Sequence, residues 1–274
     1  MELHGKACLL TGCASGIGRH LSGVLARAGA RVMATDVDEA GLVSATAGLG
    51  GDVQQRKLDV RCAEDWAAAV DVTVAAFGRL DLLFNVAGVS HSAYIHEAAP
   101  ERISFHLDIN LKGVMLGTHY GAKVMVKQRG GHIVNIASLA GLCPVPGMSL
   151  YSASKFGVRG FSLAVADELA VHGVRVSVIC PDAVATPMLD HEALEPEAAL
   201  SFSGNRILTV EDIEHAILRK ALGRGKREVI VPGSMAPLSR LVTAFPGSLM
   251  PLLPIFRQRG VKNQQRYRAS IGKD

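Results

Sequence analysis

Seven short strand-like runs, most of them apolar, alternate with segments of helical periodicity along this chain, and that alternation leaves few folds open. The runs cover 6–10, 31–35, 54–58, 81–85, 132–137, 174–180 and 228–231; the helical patterns cover 17–28, 38–47, 63–77, 101–127, 150–171 and 210–222. Strands separated by a helix pair in parallel through crossovers rather than as hairpins. The expected fold is α/β: a doubly wound, mainly parallel seven-stranded sheet with helices on both faces. Apolar residues make up 49% of the chain and aromatics only 5%, which suits an aliphatic sheet covered on both sides. No linker-like stretch divides the chain, so 1–232 is expected to be one domain. In such sheets ligands bind beyond the carboxyl ends of the strands. Gly12, Asp36, Asp59, Asn85, Ser138 and Pro181 each stand at or just after such an end.

The first strand runs into Thr11-Gly12-Cys13-Ala14-Ser15-Gly16-Ile17-Gly18, and a helical pattern begins at Ile17. A glycine turn between a strand and a helix start places a pyrophosphate against helix N–H groups, with small glycines letting the backbone approach. The spacing is T-G-x-x-x-G-x-G rather than G-x-G-x-x-G. Asp36 directly follows the second strand, and Val37, Asp38 and Glu39 follow it without a basic residue. A carboxylate there accepts bonds from ribose hydroxyls and repels a 2′-phosphate. Asp36 or Asp38 also suits the N-cap of the next helix.

Tyr151-Ser-Ala-Ser-Lys155 places a phenol and an ammonium four residues apart on one helix face, with Ser138 thirteen residues upstream. An ammonium held near a phenol lowers its pKa from about 10 towards working pH, which makes the tyrosine a candidate general acid/base.

Together these residues resemble the short-chain dehydrogenase/reductase family over about residues 5–190. Asn85-Val86-Ala87-Gly88, Asn110 and Pro181 to Met188 extend the match. The resemblance implies a Rossmann-type fold and hydride transfer between a nicotinamide cofactor and a carbinol carbon. It implies Tyr151 as acid/base, Lys155 as the group that lowers its pKa and bonds the nicotinamide ribose, and Ser138 as the holder of the substrate oxygen. Asn110 would fix a water linking Lys155 to solvent, although a helical Asn can also bond its own backbone. The implied cofactor-binding set is Gly12, Ser15, Gly16, Ile17, Gly18, Asp36, Asp59, Val60, Asn85, Ala87, Gly88, Tyr151, Lys155, Pro181, Val184 and Thr186. Asp59 would bond the adenine amine, or serve only its turn. Ser15 stands where NADP-preferring relatives often carry a basic residue, and with Asp36 it favours NAD. Two departures matter. Val86 replaces the usual Asn, and Asp182 replaces the usual Gly beside the nicotinamide. Burying a lone carboxylate is costly, so Asp182 is expected to face solvent.

The substrate pocket is expected to draw on the residues after Gly88 (Val89, Ser90, His91, Tyr94), on 139–148 with Leu139, Cys143 and Val145, and on 187–205 with Met188. The stretch 139–148 is mostly apolar, which favours a small apolar alcohol or ketone, steroid, retinoid-like or other lipid, over a sugar or hydroxy acid. His91 is a possible polar handle, though a lone His is more often structural. Beyond Pro232, Leu238, Leu241, Val242 and Phe245 form one helical stripe, and Leu249, Leu252, Leu253 and Phe256 a second. An apolar helical extension over 233–274 is expected to act as a lid, a subunit contact in a homodimer or homotetramer, or a peripheral membrane contact. Pro237, Pro246, Pro251 and Pro254 argue against a spanning helix.

Net charge is +4, too small to point to nucleic acid. Residues 257–274 hold six basic side chains against Asp274, a net of +5, and a solvated basic tail is the plain reading. The five cysteines form no C-x-x-C pair, so neither a disulfide framework nor a metal site is expected, and a cytoplasmic location fits. The start of the chain carries no apolar signal segment. A catalytically idle dinucleotide-binding regulator or a membrane-associated scaffold are the rival functions; relatives of the idle kind lose the Tyr or Lys that this chain keeps.

Overall fold

The structure, a computed structural model, describes residues 2–272, the side chains of Ser248, Leu249 and Met250 excepted. Leu249 of the second apolar stripe and Lys273 and Asp274 of the basic tail therefore lie outside the described residues. Seven strands, β1 (Ala7–Thr11), β2 (Arg31–Asp36), β3 (Val53–Lys57), β4 (Leu82–Asn85), β5 (Gly131–Ile136), β6 (Val174–Pro181) and β7 (Glu228–Val231), form one sheet in the order β3-β2-β1-β4-β5-β6-β7. Every pairing is parallel, because a helical crossover separates each strand from the next. The order reverses between β1 and β4, which opens a crevice beyond their carboxyl ends.

The helices are α1 (Gly16–Arg27), α2 (Glu39–Thr46), α3 (Ala63–Phe77), α4 (Glu101–Leu107), α5 (Gly113–Gln128), α6 (Ser149–Ala170), α7 (Pro187–Glu192), α8 (Val210–His215), α9 (Ala236–Ala244) and α10 (Leu253–Ser270). Period-two alternation sends Cys8 and Leu10 of β1 to one face, against Leu21 and Leu25 of α1. Ala7 and Leu9 go to the other, against Trp66, Val70 and Phe77 of α3. β1 is thus buried on both faces, as a central strand of a parallel sheet requires, while the edge strand β3 is polar and largely exposed. The expected helix over 101–127 is continuous but carries a widened turn at Asp108–Lys112, and the one over 210–222 does the same at Ala216–Leu222.

The C-terminal extension is helical, but only its first half is apolar. The first stripe splits. Val242 is buried and Leu238 half-buried, while Leu241 and Phe245 on the outer side are exposed. α10 is largely polar, and the basic segment is not a solvated tail. Gly260 of α10 lies so close to the 196–202 turn that an added Cβ would stand 2.1 Å from the Ala199 carbonyl oxygen. Asn263 Nδ2 donates to the Phe202 carbonyl at 3.0 Å, and Gln264 Nε2 donates to the carbonyls of Glu192 and Glu195 at 2.9 and 2.8 Å. Tyr267 donates to Asp190 at 2.8 Å. Among the described residues no helix is long and apolar enough to cross a membrane.

Candidate active site

One cavity of about 1300 Å³ runs along the carboxyl ends of the strands, from Gly12 and Asp36 past Gly88 to Ser138 and Tyr151, and on to Met188, Leu238 and Phe256. Its first end is built by β1 and α1. Thr11 Oγ1 accepts from Val86 and Ala87 N–H at 3.0 and 3.2 Å, which draws the end of β4 against the glycine turn. A Cβ on Gly12 would stand 3.0 Å from the Ala87 backbone, and one on Gly18 would stand 2.1 Å from the Gly12 carbonyl oxygen. Gly16 adopts φ +51°, a conformation open to glycine at little cost. Ser15 at the N-cap of α1 makes no side-chain cap, and no acidic residue occupies the first turn. The start of α1 therefore presents N–H donors to the cavity with no carboxylate to compete, which fits a diphosphate.

Asp36 lines the same end. Its oxygens accept from Ala14 N–H at 2.9 Å and Asp38 N–H at 3.0 Å. The N-cap role falls to Asp38, which accepts from Gly41 N–H at 3.0 Å, so Asp36 is left for a ligand. Lys57, its register partner in β3, pairs with Glu39 at 3.1 Å. Asp59 and Val60 also line the cavity. Arg61 grips the Asp59 carboxylate through two nitrogens and holds its pKa below the ordinary carboxylate range. Ile17, Ala87, Gly88, Pro181, Val184 and Thr186 are in the wall as expected. Asn85 is not. It is 2% exposed, and its Nδ2 donates to Asn135 Oδ1 at 2.8 Å across the β4–β5 pair. The side chain one residue before the turn belongs to the sheet interior, and the backbone of 86–88 forms the surface.

Ser138 follows β5 and Tyr151 stands in the first turn of α6, which brings their hydroxyls together across the wall. The Ser138 hydroxyl lies beside the phenol, donates to the Pro181 carbonyl at 3.4 Å and accepts from Ala140 N–H at 3.1 Å. Lys155, one turn on, is 4% exposed; its ammonium donates to the Ile136 carbonyl at 3.0 Å and lies 5.6 Å from the Tyr151 ring centre. Asn110, in the widened turn between α4 and α5, is fully buried behind the wall rather than in it. Its Oδ1 accepts from Val89 N–H at 2.8 Å; its Nδ2 donates to Val89 O at 2.9 Å and Ser154 Oγ at 3.1 Å. Gly88 leaves room between Asn110 and Lys155: a Cβ there would stand 3.2 Å from Asn110 Oδ1 and 3.5 Å from Lys155 Nζ.

The protonation balance differs from the sequence expectation. Burial pushes the Tyr151 phenol above its ordinary value, the charge of Glu192 adds to the rise, and the Ser138 hydroxyl opposes it. Burial pulls Lys155 from its ordinary 10.5 down to about 8. Desolvation outweighs the attraction expected of a Tyr–Lys pair, even though the ammonium donates to the Ile136 carbonyl. The lysine is therefore a stability liability. Its pKa is depressed in the folded chain, so the penalty is full below about pH 8 and vanishes as the pH rises to 10.5. Lys155→Met is expected to raise unfolding free energy at pH 7 by about 2–3 kcal/mol, with the gain fading between pH 8 and 10.5. Denaturant melts of both proteins across that range check it.

At the far end Leu139, Cys143, Val145 and Met188 line the cavity as expected, joined by Leu238, Val242, Leu253 and Phe256 from the C-terminal extension. His91 and Tyr94 do not. Ala93 N–H donates to the Gly147 carbonyl at 2.9 Å, and this pairing turns the segment away. His91 sits behind Phe105, in edge contact with it at 5.6 Å, and Tyr94 accepts from Arg257 of α10. Asp182 does not face solvent either. It lines the cavity, half-buried, accepts from its neighbour Ala183 N–H at 2.9 Å, and burial raises its pKa. The stretch 187–205 reaches the pocket as expected, but the sequence did not single out Glu192 within it, a carboxyl 6% exposed in the wall, raised by burial to about 7. Nothing in Asp190-His191-Glu192 distinguishes it from a surface stretch.

Three comparisons bear on this arrangement. D-threitol dehydrogenase of Mycolicibacterium smegmatis (strain ATCC 700084 / mc(2)155) is 41% identical over 195 residues, covering 70% of this chain and 75% of that one. Momilactone A synthase of Oryza sativa subsp. japonica is 38% identical over 236 residues, 82% of this chain and 86% of that one. The crystal structure of a short chain dehydrogenase/reductase from Burkholderia phymatum in complex with NAD superposes with a TM-score of 0.79 at 29% identity, over 88% of this chain and 94% of that one. The model of the short chain dehydrogenase family matches residues 6–196, the span that holds the glycine turn, Ser138, Tyr151 and Lys155, and the chain belongs to that family.

Proposed function

We propose that this protein is an NAD-dependent oxidoreductase that interconverts an apolar secondary alcohol and its ketone, with Tyr151 handling the proton. The observation that carries this reading is one cavity with a glycine cradle and Asp36 at one end, Ser138 and Tyr151 in the middle and an apolar wall beyond. Gly12 to Gly18 would hold the diphosphate, Asp36 the adenosine ribose, and Thr186 the carboxamide. The cofactor, when bound, accepts or supplies the hydride. Ser138 and Tyr151 hold the substrate oxygen between two hydroxyls, and Tyr151 passes a proton to or from it. Because burial keeps the phenol protonated, the resting form is the acid that ketone reduction uses. Lys155 carries the positive charge that favours the phenolate, and Asn110 holds Val89 and Ser154 in place around it. The names of the relatives cover D-threitol and momilactone A, so the family alone leaves the substrate open. The wall from Leu139 to Phe256 supports a hydrophobic one, such as a steroid, retinoid-like or other lipid alcohol.

We further read 233–272 as a lid over the substrate end, held shut by α10. Leu241, Phe245, Leu252 and Ile255 remain exposed on its outer side, and a homodimer or homotetramer that covers them is the assembly this reading expects. Cofactor choice tests the reading. NAD(H) should exceed NADP(H) in kcat/KM by at least about tenfold, and Asp36→Ala should narrow that ratio, since the carboxylate repels a 2′-phosphate. Equal or better kinetics with NADP(H) would show that the ribose end is misread.

A further inference from the structure

Glu192 ends α7, and its carboxyl is the deepest polar group the sequence reading did not single out at the substrate end. It is 6% exposed yet part of the cavity wall. The hydroxyls of Ser90 and Ser201 stand beside it, and Glu195 is the like charge nearby; no Lys or Arg acts on it. Ser90 Oγ, itself buried, has no hydrogen bond of good geometry, and Ser201 Oγ meets only the weak acceptor Met148 Sδ, at 3.0 Å, so the hydroxyls around the carboxyl are under-satisfied. A buried polar group without a proper partner is costly unless a ligand supplies one.

Gln264 of α10, itself 6% exposed, bonds the main-chain carbonyls of Glu192 and Glu195 and pins the end of α7 from outside. Glu192 and Tyr151 line the same cavity, and the carboxylate's charge raises the phenol. We propose that Glu192, with Ser201 beside it in the cavity wall and Ser90 behind it, binds a second hydroxyl of the substrate, so that the preferred substrates are apolar diols or hydroxyketones rather than monofunctional alcohols. With its pKa at about 7 the carboxyl is substantially protonated at neutral pH, and it can then both donate to and accept from a hydroxyl. An ammonium would have to be desolvated against an apolar wall.

This inference rests on the dehydrogenase reading, and the test separates the two. The full-length enzyme with NAD is assayed on cyclohexanol and on 1,2-, 1,3- and 1,4-cyclohexanediol, with the aminocyclohexanols as controls. At least one diol should exceed cyclohexanol in kcat/KM by tenfold or more, carried by KM. Glu192→Leu should bring that ratio to within about twofold of unity while NADH titration shows an intact nucleotide site. If Glu192→Leu does not fold, the double variant Ser90→Ala/Ser201→Ala should cut the same ratio at least threefold. Cyclohexanol turnover with no diol preference, a ratio that survives these substitutions, or a preference for the amino alcohols overturns the inference and leaves the dehydrogenase reading standing. A protein that binds no NADH and oxidises none of these alcohols overturns both.

Discussion

Tyr151→Phe is expected to lower kcat by about 10³ and to leave the dissociation constant for NADH within about twofold of the unaltered protein. The phenol hydroxyl is the group placed with Ser138 on the cavity wall, and a positioned acid/base contributes about 10²–10⁴ in rate. The ring itself, which packs on the wall, is kept by Phe. The nucleotide end, where Gly12 to Gly18 and Asp36 lie, is untouched. Pre-steady-state hydride transfer and NADH fluorescence titration read the two quantities separately. Retention of more than a few per cent of turnover would assign proton transfer to another group, and the cavity carboxyls Glu192 and Asp182 would be the next to test.

Removing α10, by ending the chain at Leu252, is expected to raise KM for an apolar substrate by about 70-fold with cofactor affinity unchanged. Leu253 and Phe256 of α10 form part of the wall at the substrate end. Losing on the order of 100 Å² of apolar cover at about 25 cal/mol per Å² amounts to about 2.5 kcal/mol, which is the stated factor. The loss extends beyond direct contact, because Asn263 and Gln264 hold the carbonyls of Phe202, Glu192 and Glu195. A milder probe is Gly260→Val, whose added atoms meet the Ala199 carbonyl; it should move KM in the same direction with the helix still present. Unchanged KM in both variants would show that the extension serves something other than substrate cover.

The fold and the reacting groups were legible in the amino-acid sequence because both are written locally. Strand and helix periods are properties of five to twenty consecutive residues, and β1 to β7 fall within a residue or so of the strand-like runs. Gly12, Gly16 and Gly18 declare a backbone approach that a Cβ would block, and Asp36, Ser138 and Tyr151 each follow from a strand end or a helix start. What only the tertiary structure decided is which side chains face the cavity and how they titrate. Asn85 turns to Asn135, and Tyr94 turns to Arg257 more than 160 residues later. Asp182 reads as solvent-facing and Glu192 is not singled out within its stretch, yet both line the cavity. The segment that walls in Glu192 includes α10, which the basic composition disguised as a tail. The Tyr151–Lys155 pair shows the same limit: their spacing is local, but their proton affinities are set by burial. Desolvation is a sum over all neighbours, most of them distant in sequence, and no local pattern carries it.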